Sequence, residues 1–548
     1  MATSPAKMAC GGLVKGPSGT RALAMCSFLV PPVPRLPRTP LALLFAILVS
    51  CLPAVSAEPA PPAQRTAKAL ESVRGDPLRL REFLMRMPKG ADLHSHLHSA
   101  VFAETLIADG IADGLCVDPT AHAFAKPQSV GGGAPVCGDD AVPAATVYED
   151  QLLYNALIDA FSMRGFVPSE GVTGHDHFFG AFKRFGGTDP RHTGEWLDEV
   201  AGRAARQNVQ YLELMATPPW NRLNDITKDV TWRDDLVGLR DELLVKGLAE
   251  DIHAARDFWD EAEATRRQRE RCGTPDERPA CTVAERYIYE VFRSTPKALV
   301  FAQALFGFEL AAADPRVVAI NFVGEEDEHT SMTDYAEHMR MVGFLRDLYP
   351  DVHVSLHAGE LAPGLVPPEG LCCHIRLAVA LARADRVGHG VDIMFEDAPY
   401  DLMKLMADKG VLVEINLTSN EDVLGVSGKH HPFPLYRAFN VPVALSTDDA
   451  GIERIDLTHE YVRAVETYGL GYEDLKEIVR NSLEYGFLPG ASLWADRAAY
   501  GSLTPACATG TPGSAEPSPA CAAFLAASQK AAQQWELERR FGTFEESY

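Results

Sequence analysis

Eight short runs of apolar and β-branched residues, most of them separated by helical patterns, constrain most strongly how this chain can fold. The runs are Asp92–His96, Val209–Met215, Tyr287–Arg293, Val317–Val323, Val352–Leu356, Arg386–Gly388, Val411–Ile415 and Val441–Leu445. Strands that alternate with helices form parallel sheets, and eight such units are typical of a (β/α)8 TIM barrel. The sequence therefore predicts an α/β fold, with this barrel occupying residues 88–548.

Polar or ionisable residues stand at the carboxyl end of most of these runs. They are His94 and His96, Glu213, Gly324 and Glu325, His357 and Glu360, His389, Asn416, and Asp448 with Asp449. The carboxyl ends of barrel strands meet at one rim, which is where barrel enzymes carry their catalytic groups. We therefore expect a single functional site at this rim.

The segments outside the eight units receive separate assignments. Residues 58–87 are predicted to be a linker and an N-terminal helix. Residues 112–145 and 505–519 are rich in Gly, Pro or Ala and are predicted to be inserted loops. A closing helix is expected over Ala520–Arg540.

Residues 1–57 are typical of an export leader. They contain five basic residues and no acidic one, and the apolar run Leu41–Leu52 is too short to cross a bilayer as a stable helix. Two processing sites are open, either cleavage after Ala57 or a lipoprotein box that ends at Cys51. The leader predicts a periplasmic or secreted protein, with a possible lipid anchor at Cys51.

The cysteines that follow the leader are arranged as expected for an oxidising compartment. Three pairs of near neighbours bracket loop-like stretches, and we predict disulfides between Cys116 and Cys137, Cys272 and Cys281, and Cys507 and Cys521. The adjacent residues Cys372 and Cys373 remain unassigned.

The charge of the chain restricts its partners. It carries 51 Lys and Arg against 75 Asp and Glu, a formal net charge of -24. A surface this acidic repels phosphate backbones, so the sequence predicts no nucleic-acid partner. It does not indicate how many subunits associate.

The motif His94-Ser95-His96 is the first indication of chemistry. On a strand, residues i and i+2 point to the same face, so two imidazoles can meet one metal ion. The spacing alone is weak evidence, because His175-Asp176-His177 repeats it without a β-run. Together with His357 and Asp448, however, the motif can fill a mononuclear zinc site and leave room for water.

Four motifs in this order resemble the strand-1, strand-5, strand-6 and strand-8 motifs of the adenosine deaminase family, within the metal-dependent amidohydrolases. They are His94-Ser95-His96, His357-Ala358-Gly359-Glu360, Arg386-Val387-Gly388-His389-Gly390 and Ser446-Thr447-Asp448-Asp449. Residues 414–420 and 321–327 resemble the strand-7 and strand-4 segments. The resemblance covers about residues 88–488, and the leader and cysteine loop are similar to the secreted, growth-factor-related branch.

The resemblance implies zinc-dependent hydrolysis of adenosine or 2'-deoxyadenosine to the inosine product and ammonia. One zinc ion per chain would be held by His94, His96, His357 and Asp448. His389 would orient the zinc-activated water and accept its proton. Glu360 would donate a proton to purine N1, and burial must raise its pKa for it to be protonated near neutrality. Asp449 would hydrogen-bond N7 and help hold the water as a third catalytic residue, and the Gly324 N–H would meet N3.

The expected ribose contacts depart from the family pattern. The compact cytosolic members carry Asp-Gly after the first motif and contact the ribose there, whereas this chain has His98 and Ser99. His98 is therefore a candidate substrate contact. Residues 174–185 resemble the helical lid over the sugar. Further candidate ribose contacts are His175, His177, Glu213 and Trp220.

Two alternative functions stay open. One is deamination of another 6-aminopurine, either adenine or an N6-substituted adenine compound. The other is a non-catalytic extracellular binding module on the same barrel.

The acidic surface and the lack of a Lys/Arg cluster beside the motifs disfavour a phosphorylated substrate. The sequence has no C-x-x-C, which excludes the cytidine-type deaminase fold. Residues 317–324 contain no lysine, which favours one metal ion.

Overall fold

The computed structural model describes residues 60–128, 136–219 and 222–548. The predicted leader with Cys51 and Ala57, and the candidate ribose contact Trp220, lie outside the described residues. Among the helices in these ranges, none combines the length and the apolar character needed to cross a bilayer.

All eight predicted runs are strands, and they pair in sequence order. The strands are β1 (Gly90–His96), β2 (Cys116–Asp118), β3 (Ala123–Ala125), β4 (Val142–Pro143), β5 (Val209–Met215), β6 (Ala284–Phe292), β7 (Val317–Val323), β8 (His353–Ala358), β9 (Arg386–His389), β10 (Leu412–Ile415) and β11 (Val443–Leu445). One eight-stranded parallel sheet has the order β1-β5-β6-β7-β8-β9-β10-β11.

The sheet closes into a barrel through the residues that follow β11. Ser95 pairs with Asp448 in parallel orientation. The Asp448 N–H donates to the His94 carbonyl at 2.8 Å, and the His96 N–H donates to the Asp448 carbonyl at 3.3 Å. The predicted (β/α)8 barrel is thus confirmed, and its closing contact joins the segments that carry three of the proposed zinc ligands.

Helices surround the barrel and bury its strands. They are α1 (Pro62–Val73), α2 (Pro77–Arg86), α3 (Leu97–Ala100), α4 (Ala103–Ala112), α5 (Gln151–Ala160), α6 (Gly174–Phe185), α7 (Thr193–Arg206), α8 (Leu223–Thr227), α9 (Leu236–Val245), α10 (Ile252–Glu270), α11 (Lys297–Ala313), α12 (His329–Leu348), α13 (His374–Leu377), α14 (Pro399–Lys409), α15 (Leu417–Leu424), α16 (Phe433–Ala438), α17 (Ala450–Glu453), α18 (Leu457–Tyr468), α19 (Tyr472–Glu484), α20 (Pro519–Ala527) and α21 (Gln529–Glu546). Every residue of β5 is buried, as expected for a parallel strand covered on both faces.

Three predicted segments differ from the structure. The single N-terminal helix expected within residues 58–87 is two helices, α1 and α2. The insertion at residues 112–145 contains a small antiparallel sheet in the order β3-β2-β4, so it is more than a loop. The single closing helix is two helices, α20 and α21. They part at Ser528, whose extended backbone and side-chain bond to the Ala531 N–H begin a new helix.

The predicted cysteine pairs lie together. The Cα atoms are 5.7 Å apart for Cys116 and Cys137, 5.5 Å for Cys272 and Cys281, and 4.6 Å for Cys507 and Cys521. These distances suit disulfides. The adjacent residues Cys372 and Cys373 are also paired in the structure.

Candidate metal centre and active site

One ligand atom from each of four side chains converges at the carboxyl rim of the barrel. The Nε2 atom of His357 lies 3.1 Å from that of His94 and 3.3 Å from that of His96. The Oδ1 atom of Asp448 lies 3.4 Å from His94 Nε2 and 3.5 Å from His96 Nε2. The structure therefore brings together the four residues that the sequence nominated as ligands.

Each of the three imidazoles is held by its other nitrogen. The Nδ1 atom of His94 donates to Glu414 at 2.6 Å, that of His96 to Glu290 at 2.8 Å, and that of His357 to the Asn321 amide oxygen at 2.9 Å.. These acceptors place the ring proton on Nδ1 and leave the Nε2 lone pairs facing one another. Metal-binding histidines are typically oriented in this way.

The spacing of these atoms fits a tetrahedral metal site. Metal–nitrogen bonds of about 2.0–2.1 Å place neighbouring ligands about 3.3–3.4 Å apart around a tetrahedron. The observed separations of 3.1 to 3.5 Å bracket that value. Within the part of the chain that the structure describes, the buried Asp448 Oδ1 accepts no hydrogen bond. Three lone pairs and a carboxylate oxygen that face one another suit a divalent cation.

A buried ionic chain supports this centre from inside the barrel. Arg386 lies 2.6 Å from Glu213 and 2.6 Å from Glu414, and Glu414 in turn holds His94. Glu213 also accepts from the Tyr211 hydroxyl and the Phe487 N–H. The suggestion that Glu213 contacts ribose is therefore wrong, because its carboxylate is completely buried and committed to this chain.

The glycine of the strand-6 motif has a steric role. A Cβ atom added at Gly388 would lie 2.5 Å from the His94 ring. Two neighbouring site residues, His389 and Asp448, have φ angles of +66° and +55°. Such left-handed backbone is uncommon for non-glycine residues and concentrates at functional sites.

Glu360 lies beside the centre in an environment that favours its protonated form. Burial raises its pKa well above the ordinary value, and the charges of Asp448 and Glu326 add to this shift. Glu326 accepts the N–H groups of Gly359 and Glu360 at 3.0 and 2.9 Å. Burial raises the pKa of Glu326, but its bond to His374, the charges of His374 and Arg293 and the Gly359 N–H together outweigh burial and hold the pKa at about 2. A neutral carboxyl thus sits next to an ionised one.

His389 lies between Glu360 and Asp448. Its Nδ1 atom is 3.7 Å from Glu360, and its Nε2 atom is 3.6 Å from Asp448 Oδ2. Burial lowers its pKa to about 4, so the ring is neutral near pH 7. The Asn420 amide donates to Nδ1 at 2.8 Å.

The orientation of that amide is set by His431. The Phe433 N–H donates to His431 Nδ1 at 3.1 Å, so the His431 proton is on Nε2, which donates to the Asn420 oxygen at 2.9 Å. The Asn420 NH2 must then face His389. The neutral His389 ring therefore carries its proton on Nε2, towards the metal centre.

Asp449 and Gly324 both line the space beside the four candidate ligands. Burial raises the pKa of Asp449 to about 7, with a further contribution from Asp448, and Ser99 hydrogen-bonds to it. Gly324 has a φ of +95°, which favours glycine. An added Cβ there would meet only Ser294, at 3.9 Å, so the backbone is open to a ligand.

A cavity of about 250 Å³, here called the catalytic cavity, connects these groups with the predicted lid. Its walls on the metal side are His96, His357, Glu360, Asp448, Asp449 and Gly324, and its walls on the lid side include Phe178, Phe179 and Phe182. The lid is helix α6, with the bounds expected from the sequence. His175 at its start lies 2.9 Å from Asp327, after β7.

The remaining candidate ribose contacts have partners within the protein. His98 bonds to Thr188 at 3.1 Å, and burial lowers its pKa to about 4. His175 bonds to Asp327, and His177 bonds to the carbonyls of Asp159 and Ser162. Of these, His98 lines a cavity next to the catalytic one.

Sequence reasoning missed the residues that orient the ligands and His389. They are Glu290, Asn321, Glu326, Glu414, Asn420 and His431. Asn321 lies in β7 and Glu414 in β10, so a polar residue in an otherwise apolar strand was the available signal for these two. Glu326 and Asn420 follow these strands within residues 321–327 and 414–420 and lacked that signal. His431 lies in a short loop and gave none.

Comparison with known proteins finds one family. A family model described as adenosine deaminase matches residues 196–493. The curated adenosine deaminase of Clostridium perfringens is 35% identical over 175 residues, which cover 31% of this chain and 47% of that protein. That of Escherichia coli is 30% identical over 174 residues, 30% of this chain and 49% of that protein. The chain thus spans about half the length of the curated relatives it matches.

A solved structure described as the ADAL–IMP complex is 18% identical. It has a TM-score of 0.49, with coverage of 75% of this chain and 94% of that one.

Proposed function

Because the chain belongs to the adenosine deaminase family, we propose that it hydrolyses the 6-amino group of adenosine or 2'-deoxyadenosine. The products are the corresponding inosine nucleoside and ammonia. The observation that carries this proposal is the convergence of His94, His96, His357 and Asp448 at 3.1 to 3.5 Å, with Glu360 and His389 beside them.

We propose that these four residues hold one Zn²⁺ ion per chain. The donor set of three imidazoles and one carboxylate is typical of zinc, which would supply Lewis acidity and lower the pKa of a water molecule towards neutrality. Glu290, Asn321 and Glu414 keep the three rings oriented for this purpose.

Glu360 is the proposed proton donor. Its raised pKa keeps a proton on the carboxyl near pH 7, and it lies on the wall of the catalytic cavity. Donation to purine N1 makes C6 more electrophilic, so that the water oxygen can bond to C6. One proton of the added water moves to the amino nitrogen, the C6–N6 bond breaks, and ammonia leaves. The remaining hydroxyl proton returns to the Glu360 carboxylate, which leaves the 6-oxo group and N1–H of the inosine product.

Asp449 and the Gly324 N–H are the proposed purine contacts, at N7 and N3. Both line the catalytic cavity, so one purine ring bound there can contact both residues. The open backbone at Gly324 supports close approach of the ring.

His389 is the proposed residue that orients the attacking water. With its proton on Nε2, the resting ring donates towards the metal centre. Uptake of a proton by this ring would have to occur at Nδ1, where Asn420 now donates. The proton-accepting role inferred from the sequence stays a prediction.

The ultraviolet absorbance of adenosine, which changes on deamination, provides the first test. Zinc-loaded protein should convert adenosine or 2'-deoxyadenosine, a chelator should stop the reaction, and added zinc should restore it. Adenine and N6-methyladenosine belong in the same panel. No change with any of these compounds would contradict a deaminase and favour the binding module.

We also propose that the chain is exported. The basic, acid-free leader with its apolar run and the three neighbouring cysteine pairs support this proposal. Mass mapping of the mature protein without reduction should find the three disulfides and an N-terminus at Glu58 or a lipid-modified Cys51. Free thiols and an intact leader would contradict export.

A further inference from the structure

A second cavity, here called the side chamber, adjoins the catalytic cavity and has a volume of about 270 Å³. The two cavities share the walls His96, Phe182, Glu290 and Phe292. The other walls of the side chamber include His98, Trp196, Met215, Ala216, Phe258 and Trp259. A ligand whose reacting atom faces the metal centre can therefore extend past His96 into the side chamber.

The walls of the side chamber are largely apolar and well supported. Met215 is 1% exposed and Trp259 is fully buried. Trp259 stacks on Tyr287 with ring centroids 3.8 Å apart, and Trp196 stacks on the His98 ring at 4.7 Å. Trp196 also donates to Asp109 at 2.7 Å, which fixes its ring. The chamber thus offers a preformed apolar surface.

The polar groups on its walls already have partners within the protein. His98 is bonded to Thr188 at 3.1 Å. The two oxygens of Glu290 accept from His96 at 2.8 Å and from Thr217 at 3.2 Å. A polar substituent in the chamber would lose water without gaining these groups as partners.

The charge of the walls excludes a phosphate. Of the described residues that line the side chamber, none is Lys or Arg, and Glu290 contributes a carboxylate. A phosphate would lie near this negative charge without a paired cation, which is unfavourable in a confined site.

From these observations we infer that the substrate is a 6-aminopurine nucleoside with an uncharged, apolar substituent at the 5' position of its sugar, such as a 5'-alkylthio group. This inference rests on the proposed function. Gly324 at the end of β7 would hold the purine, and the side chamber lies on the other side of His96, around β1, β5 and β6. His98 lines the side chamber, and it stands at the sequence position where the compact family members contact ribose.

Binding and turnover of three nucleosides test the inference. The ligands are 5'-methylthioadenosine, adenosine and AMP. Burial of the methylthio group should raise kcat/KM about tenfold or more over adenosine, and AMP should be the poorest substrate. Calorimetric affinities for the zinc-loaded Glu360→Gln protein should follow the same order. Equal values for adenosine and 5'-methylthioadenosine, or preference for AMP, would overturn the inference.

Variants of Ala216 and Phe258 test whether the preference for the 5' substituent arises in the side chamber. Ala216→Leu fills the side chamber and should lower kcat/KM for 5'-methylthioadenosine at least tenfold, with that for adenosine changed less than threefold. Ala312→Leu makes the same change at an exposed position on α11; it is the matched control and should change neither value. Phe258→Ala enlarges the chamber and should favour a 5'-butylthio over a 5'-methylthio group. If Ala216→Leu instead selects against N6-methyladenosine, the chamber faces the amino group and the assignment is wrong.

These experiments distinguish failure of the proposed reaction from failure of the side-chamber assignment. If no 6-aminopurine is deaminated but 5'-methylthioadenosine still binds more tightly than adenosine, the proposed reaction fails and the chamber assignment stands. If adenosine is deaminated without any benefit from the apolar substituent, the chamber assignment fails and the reaction stands.

Discussion

The side-chain amide of Asn420 donates a hydrogen bond to His389 Nδ1 at 2.8 Å, and His431 fixes the direction of that bond. His389 is thereby held as the tautomer that presents an N–H towards the metal centre. The role of His389 in the reaction therefore depends on a residue that does not line the catalytic cavity.

Replacement of Asn420 tests which role His389 has. Asn420→Asp substitutes a carboxylate that accepts from Nδ1, so it should move the ring proton from Nε2 to Nδ1. If His389 orients water by donation, kcat should fall about 10- to 100-fold at unchanged zinc content. The measurement is steady-state kinetics together with metal analysis.

The control for this variant is Glu421→Gln, an exposed neighbour on α15, which should retain full activity. An unchanged or increased kcat for Asn420→Asp would show instead that His389 accepts a proton at Nε2.

Glu360→Gln should abolish turnover without loss of the metal. The amide keeps the size of the side chain but cannot transfer a proton to N1, so kcat should fall by about 10²- to 10⁴-fold. Zinc content and thermal stability should stay close to those of the wild type, because Glu360 is not one of the four ligands. Near-normal turnover would remove Glu360 from the proposed reaction.

The contact between His175 and Asp327 should hold the lid in a pH-dependent manner. Burial lowers the pKa of His175, but the bond to Asp327 and the negative charges of Asp327, Glu325 and Asp176 together outweigh burial and raise the pKa above the ordinary 6.5. A raised pKa means that the stabilisation is fully present below pH 6.5 and is lost as the pH rises through the raised value.

Asp327→Asn should therefore raise KM for adenosine about two- to fivefold at pH 6, the effect of a partly exposed ion pair. The rise should shrink at higher pH. A double-mutant cycle with His175→Gln measures the coupling between His175 and Asp327. If the effects of the two substitutions on KM simply add at pH 6, the lid contact is contradicted.

The sequence predicted the barrel and the group of four proposed ligands because both depend on local patterns. The run Val209–Met215 has the bounds of the observed strand, and the spacing of His94 and His96 dictates that they share a face. Closure of the barrel, in which Ser95 pairs with Asp448, brings His94 and His96 next to Asp448. This closure follows from the order of the strands.

The remaining features depend on contacts between distant segments. The bond from His431 to Asn420 needs the loop after α15 to return to that helix, and no spacing in the sequence encodes that path. The side chamber has walls on several elements, so its shape appears only after they pack. To predict the break between α20 and α21, Ser528 has to be recognised as an N-cap within an otherwise helical pattern.

The anomalous difference density of a zinc-loaded crystal, measured at the zinc absorption edge, tests the central claim most directly. The account predicts one peak per chain, about 2.0–2.2 Å from His94 Nε2, His96 Nε2, His357 Nε2 and Asp448 Oδ1. Zinc-loaded protein with no peak among these four atoms, or with its peak at another cluster, would contradict it.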